Sequence, residues 1–551
     1  MKIALSQLNY HIGNFEYNYD KIVNSIQEAK RQNADIIVFS ELAVCGYPPH
    51  DLLERQEFIE GCYKWLYKIK DKTDGIAVVI GCPSINPNKD GKKLFNSAFF
   101  ISNKEIISVH HKALLPTYDI FDEYRYFEPC TDFHISEFMG LKIAITICED
   151  LWDDQPLENE FGKGRMYTIS PMEEIMKLKP DFIINVAASP FSTKKRVVRQ
   201  EIFTGHAKRF NIPLIYVNQI GGNTELIFDG GSMIVNSIGN IISSLALFSE
   251  DFRLVDSDSI ISLSEDYKQI SEMSEIEKVH DALVLGIRDY FYKSGFKSAT
   301  LGLSGGIDSA VVLVLAVKAL GHENVRALLM PSVYSSDHSV SDAIKLAETL
   351  HVKYDIVPIQ QSFESLLKTL HPLFENLHEN VTEENIQARV RGLLLMALSN
   401  KFGHILLNTS NKSEIAVGYG TIYGDMCGGL SVIGDLYKTE VYHLSGFINK
   451  NKEIIPEHII KKAPSAELRP GQKDSDSIPE YHELDKVLYQ YIEMQKSPEE
   501  IVRAGLDKNM VEKAVRLINI NEYKRHQTPP ILRVTSKAFG IGRKIPIVAK
   551  F

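Results

Sequence analysis

Only six of the 551 residues are cysteine, at positions 45, 62, 82, 130, 148 and 427, and they form no CxxC pair and no regular framework. Such spacing excludes a disulfide-stapled secreted scaffold and points to a reduced compartment. Apolar runs of the roughly 18–20 residues that a membrane helix needs are missing as well. The N-terminus, MKIALSQLNY, reaches Ser6 before an apolar core of the signal type develops. A cytoplasmic protein with no membrane partner is therefore expected. Positive charge is in short supply: 61 Lys and Arg against 71 Asp and Glu leave a net −10, which argues against bulk nucleic-acid binding but permits a local basic pocket. Two common phosphate-binding patterns are also absent, since no Gly-Lys-Ser/Thr follows a glycine turn and GxGxxG does not occur.

What remains is an ordinary globular composition, 44% hydrophobic and 24% charged, with length for two to four domains. The stretch that organises the chain is 299–320, ATLGLSGGIDSAVVLVLAVKAL. Ala299 to Leu303 reads as a buried strand, Ser304 to Ser309 as a turn, and the following apolar run as a buried helix. A strand, a small-residue turn and a helix make an anion site, because the first-turn N–H groups are unpaired and Gly305 and Gly306 admit phosphate oxygens to the backbone. Ser304 and Ser309 add hydroxyls. Asp308 cannot hold phosphate, so it implies a bridging cation, most simply Mg2+. A bare Gly-Gly turn usually carries no ligand. This one, however, resembles the SGGxDS loop of the ATP pyrophosphatase family, whose members split ATP between the α- and β-phosphates to adenylate a substrate.

The front half alternates strand and helix. KIALSQL reads as a strand, Tyr19–Gln32 as a helix, and ADIIVFSE as a strand ending at Glu41. AVVIGCPSI and NSAFFIS are further strands, and Lys112 follows in HHKALLPTYDIFDEYRYFEPC. LKIAITICEDLWDD presents Cys148 at the end of an apolar strand. A buried cysteine is usually an inert small hydrophobe, and that reading holds for the other five. Cys148 differs because it joins a set: a thiolate attacks an amide carbonyl, a carboxylate such as Glu41 moves the proton, and an ammonium such as Lys112 stabilises the oxyanion. FSELAVCGYPPHDLL, HHKALLPTYDIFDEYRYFEP and ICEDLW resemble the nitrilase/amidase family in its glutaminase form, over roughly residues 1–260. The resemblance implies an αββα sandwich and a glutamine pocket containing Tyr118, Ser189 and a basic residue, Lys195 or Arg196, with Lys195 favoured by spacing. FGKGRMYTISPMEE, between Cys148 and Ser189, is longer than the family leads one to expect.

From Ser249 to Glu277 the sequence is acidic and Ser-rich, and a linker is placed at 261–275 between domains at 1–260 and 276–551. The second domain reads as a doubly wound parallel sheet, with ligands at the carboxyl ends of its strands. ENIQARVRGLLLMALSNKFG reads as an amphipathic helix, and KKAPSAELRPGQKDSDSIPEYHELD as a mobile loop. ENIQARVRG, NTSNKSE, YGDMCGG, KAPSAEL and EYKRHQTPP together resemble the NAD+ synthetases and, with the front half, their glutamine-dependent form.

That resemblance implies ATP-dependent amidation of deamido-NAD+ to NAD+ through an adenylated intermediate, with AMP and pyrophosphate released. By the motif match, Asp308 and Glu414 would hold Mg2+. Gly302, Leu303, Ser304, Gly305, Gly306, Ile307, Asp308, Ser309, Thr409, Lys438 and Ser465 would touch ATP. Asn385, Glu414 and Lys524 would lie near deamido-NAD+. The partners are small molecules (glutamine, ATP and deamido-NAD+), no tightly bound organic cofactor is expected, and a homo-oligomer is. An ATP pyrophosphatase-type amidotransferase acting on another acceptor is the rival reading, disfavoured by NTSNKSE and KAPSAEL. A binding protein with a dead amidase half would lack Glu41, Lys112 or Cys148, and all are present.

Overall fold

The computed structural model describes residues 1–153, 165–261, 273–375 and 377–550, and divides the chain into two compact units, Met1–Glu272 and Met273–Phe551. Most of the expected linker, and the first part of FGKGRMYTISPMEE, lie outside the described residues.

Unit 1 contains two six-stranded sheets. In the first, Lys2–Gln7, Ile36–Val38 and Ala77–Ile85 run parallel, and Leu94–Ser102, Glu105–His111 and Asp251–Asp256 add antiparallel neighbours. In the second, Leu141–Ile147, Phe182–Ala187 and Leu214–Asn218 form a parallel centre. The period of two decides the layering. Ile3, Leu5, Ile36, Val38, Val79 and Phe100 face inward and pack in one core with Ile143, Ile145 and Ile184 of the other sheet. Ala4, Ile37, Val78 and Phe99 point the other way, onto Ile22, Ile26, Phe58 and Leu66 of the helices Phe15–Arg31 and Gln56–Lys70. Pro171–Met176 and Lys195–Phe210 cover the second sheet through Met172, Ile175 and Phe203. The result is an αββα sandwich. Sheets covered on both faces require continuous apolar strands, and Phe182–Ala187 is buried at every position.

Unit 2 is a five-stranded parallel sheet in the order Lys353–Ile356, Val325–Leu329, Ala299–Gly302, Ile405–Asn408, Leu430–Ser431. Chain order runs outward from Ala299–Gly302 to one edge and then returns to the other side. A crevice therefore opens between the carboxyl ends of Ala299–Gly302 and Ile405–Asn408. The helix Ile307–Leu320 is apolar all round because Glu275–Ser294 and Lys438–Ile448 pack against it as well as the sheet.

Strand ends differ from the sequence expectation at one place that matters. The second strand stops at Val38, so Glu41 stands in a buried turn beyond it. The helix expected at Tyr19–Gln32 begins earlier, at Phe15, because Asn14 accepts a hydrogen bond from the Tyr17 N–H and caps it.

Candidate active sites

In unit 1, Cys148 directly follows the strand Leu141–Ile147 and opens a short 3-10 turn, Cys148–Leu151. Its φ is +42°, left-handed backbone that costs a non-glycine residue roughly 1–3 kcal/mol. Asp150 helps to hold the turn, because its carboxylate accepts the N–H of Ile147 at 3.0 Å and those of Ala113 and Leu114 at 2.9 Å. One buried carboxylate thus joins the nucleophile's turn to the segment that follows Lys112. Burial, opposed by those N–H donors, pushes the Asp150 carboxyl up to about 6.

The Lys112 ammonium is fully buried and lies 2.7 Å from Glu41 Oε1 and 2.8 Å from both oxygens of Glu123. Glu41 also accepts from Asn96 Nδ2 at 2.7 Å and from the Ala188 N–H at 2.9 Å. Burial works to lower the Lys112 pKa, but Glu123 and Glu41 outweigh it and leave it well above its usual value. Burial and the Glu41 charge push the Cys148 thiol up, against a smaller opposing effect of Lys112. The resting sulfur is therefore a thiol, and the base has to act as the bond forms.

Tyr118 and Tyr167 each donate a hydroxyl to Glu149 Oε1 at 2.8 Å, next to the nucleophile. The Lys195 ammonium lies over the rings of Phe121 at 5.1 Å and Trp152 at 5.4 Å, while Arg196 sets its guanidinium against Gly231. The Ser189 hydroxyl accepts from Arg199, which pairs with Asp229. Glu123, Asn96, Asp150 and Glu149 escaped the sequence reading. Their positions have no periodic signal; the only hint at Glu123 was the density of aromatic residues around it.

In unit 2, the crevice is a cavity of about 310 Å³ lined by Gly302, Leu303, Ser304, Gly306, Ile307, Asp308, Ser309, Thr409, Glu414, Lys438 and Ser465, among others. Gly305 is not in the lining. It holds φ +77°, and a Cβ there would stand 2.1 Å from the Ser339 carbonyl oxygen. Gly305→Ala is expected to displace the loop and to weaken nucleotide binding by roughly tenfold or more. Calorimetric titration with ATP checks this; wild-type affinity would mean that the loop tolerates the shift.

Asn408, at the end of its strand, leads into the helix Lys412–Val417, whose N-cap Asn411 accepts the Glu414 N–H at 3.0 Å. Asn411 Nδ2 donates to Asp308 Oδ1 at 3.0 Å, which fastens this helix to the phosphate loop. The Lys438 ammonium pairs with Asp308 and lies 3.6 Å from Glu414. Burial and the Asp308 charge push the Glu414 carboxyl up to about 8, against the opposing Lys438 charge. Two carboxylates facing a phosphate loop suit Mg2+, which takes one or two carboxylates and completes its shell from phosphate and water. Among the described residues, no group of three or more His, Cys, Asp and Glu forms a cage of its own.

Asn385 and Lys524 do not line the cavity. Asn385 accepts from the Thr421 hydroxyl at 2.7 Å, and Lys524 donates to the carbonyls of Gly418 at 2.7 Å and Gly420 at 2.8 Å. Both brace the 418–425 loop, of which Tyr419, Gly424 and Asp425 reach the cavity.

Unit 1 thus has the architecture of a carbon–nitrogen hydrolase with cysteine, carboxylate and ammonium in the segments that follow three strands, and unit 2 that of an ATP pyrophosphatase-type domain. Residues 2–262 match the Carbon-nitrogen hydrolase family, and residues 279–528 match the NAD synthase family. The chain is 46% identical to a glutamine-dependent NAD(+) synthetase of Synechocystis sp., over 100% of this chain and 99% of that one. It is 39% identical to the protein of that name from Thermotoga maritima, over 100% and 99%. A structure of glutamine-dependent NAD+ synthetase from Acinetobacter baumannii in complex with ADP superposes with a TM-score of 0.76 at 37% identity, covering 99% of this chain and 98% of that one. The chain belongs to the glutamine-dependent NAD+ synthetase family, and it is an enzyme of the ligase class.

Proposed function

We propose that this enzyme converts deamido-NAD+ to NAD+ with ATP and the amide nitrogen of glutamine, unit 1 releasing the ammonia and unit 2 fixing it. The observation that carries the reading is the convergence of Asp308 and Glu414 on the Lys438 ammonium in the crevice of unit 2, in a chain that also brings the Glu41 and Lys112 charges to bear on Cys148.

In unit 1, Cys148 Sγ attacks the glutamine amide carbonyl while Glu41 takes the thiol proton. Lys112, fixed between Glu41 and Glu123, stabilises the oxyanion. Glu41 returns the proton to the departing ammonia, and water then hydrolyses the thioester to glutamate. Glu149, oriented by Tyr118 and Tyr167, faces the α-ammonium of glutamine, and Lys195 meets its α-carboxylate. Ser189, whose hydroxyl accepts from Arg199, completes the glutamine pocket.

In unit 2, the nicotinate carboxylate attacks the α-phosphorus of ATP, pyrophosphate leaves, and ammonia displaces AMP. The loop from Gly302 to Ser309, with Thr409, Lys438 and Ser465, holds the nucleotide in line. Asp308 and Glu414 would hold Mg2+, which when bound offsets charge on the phosphates. Asn385 and Lys524 shape the dinucleotide site by bracing the 418–425 loop. The proposed homo-oligomer would bury the exposed apolar side chains Leu393 and Met396, which share one helix face, together with Leu373, Leu377 and Phe402.

The test is which compound makes ATP turn over to AMP and pyrophosphate. Deamido-NAD+ should do so, and turnover with another acceptor, or with none, would overturn the reading. A second expectation concerns pH. Burial, opposed by Lys112, pushes the Glu123 carboxyl up to about 7. Glutamine hydrolysis should fall as pH drops through about 7, because a protonated Glu123 no longer holds the Lys112 ammonium as a charged partner. In Glu123→Gln this acid limb should be lost from the pH profile; an unmoved limb would rule out Glu123 as its source.

A further inference from the structure

Unit 2 has a second ammonium at its cavity that the mechanism above does not use. Lys462, Ser465 and Glu467 all line the cavity, in the stretch expected from sequence to be a mobile loop. That stretch bonds to its surroundings at several points. Gln387 Nε2 donates to the Leu468 carbonyl at 2.9 Å, and the Asp474 N–H donates to the Pro464 carbonyl at 3.2 Å. Glu467 has φ +49°, and its carboxylate joins its own segment to the helix Asp337–Thr349 and the residue that caps it. There it accepts from Lys462 Nζ at 2.6 Å, Ser339 Oγ at 2.8 Å and Ser336 Oγ at 3.0 Å. Ser336 N–H adds a longer contact at 3.4 Å, and Lys462 also donates to the Ser339 hydroxyl.

This cluster abuts the phosphate loop, because the Ser339 carbonyl is the atom that a Cβ at Gly305 would strike. Burial works to raise the Glu467 carboxyl, but Lys462 and the serine hydroxyls outweigh it and leave it below the usual range. The other lysine of the cavity, Lys438, is committed to Asp308 and Glu414. A triphosphate brings more negative charge than that arrangement offsets, and the Lys462 side chain, 25% exposed, stands at the cavity beside the loop that would receive it.

We propose that Lys462 is a further nucleotide-binding residue, pairing with the β- and γ-phosphates of ATP and with the pyrophosphate product, and that Glu467 is the positioning residue that holds its ammonium at the phosphate loop. The proposal rests on ATP occupying the cavity of unit 2. Calorimetric titrations of the full chain with Mg2+ and each of ATP, AMP and inorganic pyrophosphate test it. Lys462→Met should weaken ATP and pyrophosphate by roughly tenfold or more and leave AMP unchanged, which also reports that the variant is folded. Lys462→Arg should recover most of the loss. Glu467→Gln should weaken the same two ligands to a smaller degree, again sparing AMP. Unchanged affinities in Lys462→Met, or an equal loss of all three ligands, would overturn the binding role, the second outcome marking Lys462 as structural. Wild-type affinities in Glu467→Gln would overturn the positioning role. If the wild type binds none of the three, the failure lies with the ATP reading underneath.

Discussion

Cys148→Ala should abolish glutamine-dependent NAD+ formation and glutamate release while leaving the ammonia-dependent reaction largely intact. The sulfur is a soft nucleophile on which the charges of both Glu41 and Lys112 act. Glu41 cannot take its place, since its carboxylate is already committed to Lys112, Asn96 and Ala188. Adenylation, by contrast, needs only the nucleotide, its cation and deamido-NAD+ in unit 2. The cost to folding should be small, on the order of 1 kcal/mol, because a single sulfur is removed and the turn remains pinned by Asp150. The measurement compares NAD+ formation with glutamine and with ammonium chloride, at a pH high enough to supply free base. Equal loss with both nitrogen sources would make Cys148 structural, and retention of both would sink the amidase assignment. Only a selective loss fits.

The parts of both sites that could be read from sequence are those encoded locally. SGGIDS announces a ligand because strand, turn and helix follow one another within a few residues, and its flanking elements, Ala299–Gly302 and Ile307–Leu320, lie where the apolar runs placed them. Cys148 stood out because an apolar strand ends on it. What could not be read depends on pairings between distant segments. Lys112 and Glu41 are 71 residues apart, and nothing local marks Glu123 as the second carboxylate on the same ammonium. Asp150 reads as one more acid after a strand; its importance lies in N–H groups 36 and 37 residues upstream. The 461–485 stretch shows the same limit. Its Pro, Gly and charges signal a loop, and most of it is irregular, but nothing local shows that Glu467 bonds to serines 128 and 131 residues away. Asn385 and Lys524 are expected near the dinucleotide by motif alone; both bond to the 418–425 loop, and neither lines the cavity.

Asp308→Ala should reduce NAD+ formation by roughly 10²–10³-fold with either nitrogen source, the scale seen when one preorganised charge-stabilising group is removed. Glutamine hydrolysis should stay measurable, because no residue of unit 1 named in that chemistry depends on it. The loss is expected to be one of function and not of fold. Asp308 is in the first turn of a helix whose body, from Ala310 to Ala316, is buried apolar packing that the substitution does not touch. Lys438 would keep Glu414, 3.6 Å away, as a partner, so no buried ammonium is stranded. Asn411 would lose one acceptor but keep its cap on Glu414. What disappears is the carboxylate at the mouth of the phosphate loop, and with it one of the two groups proposed to hold the cation. Asp308→Asn separates charge from shape, since it preserves size and polarity. The asparagine variant should be almost as impaired as the alanine variant, and saturating Mg2+ should restore neither. If either variant makes NAD+ near the wild-type rate once Mg2+ is raised, the metal assignment is wrong and Asp308 serves only to hold Lys438 and Asn411. If glutamine hydrolysis falls in parallel with NAD+ formation in the asparagine variant, the substitution has damaged the chain as a whole or the two activities are not separable, and the division of labour between the units fails.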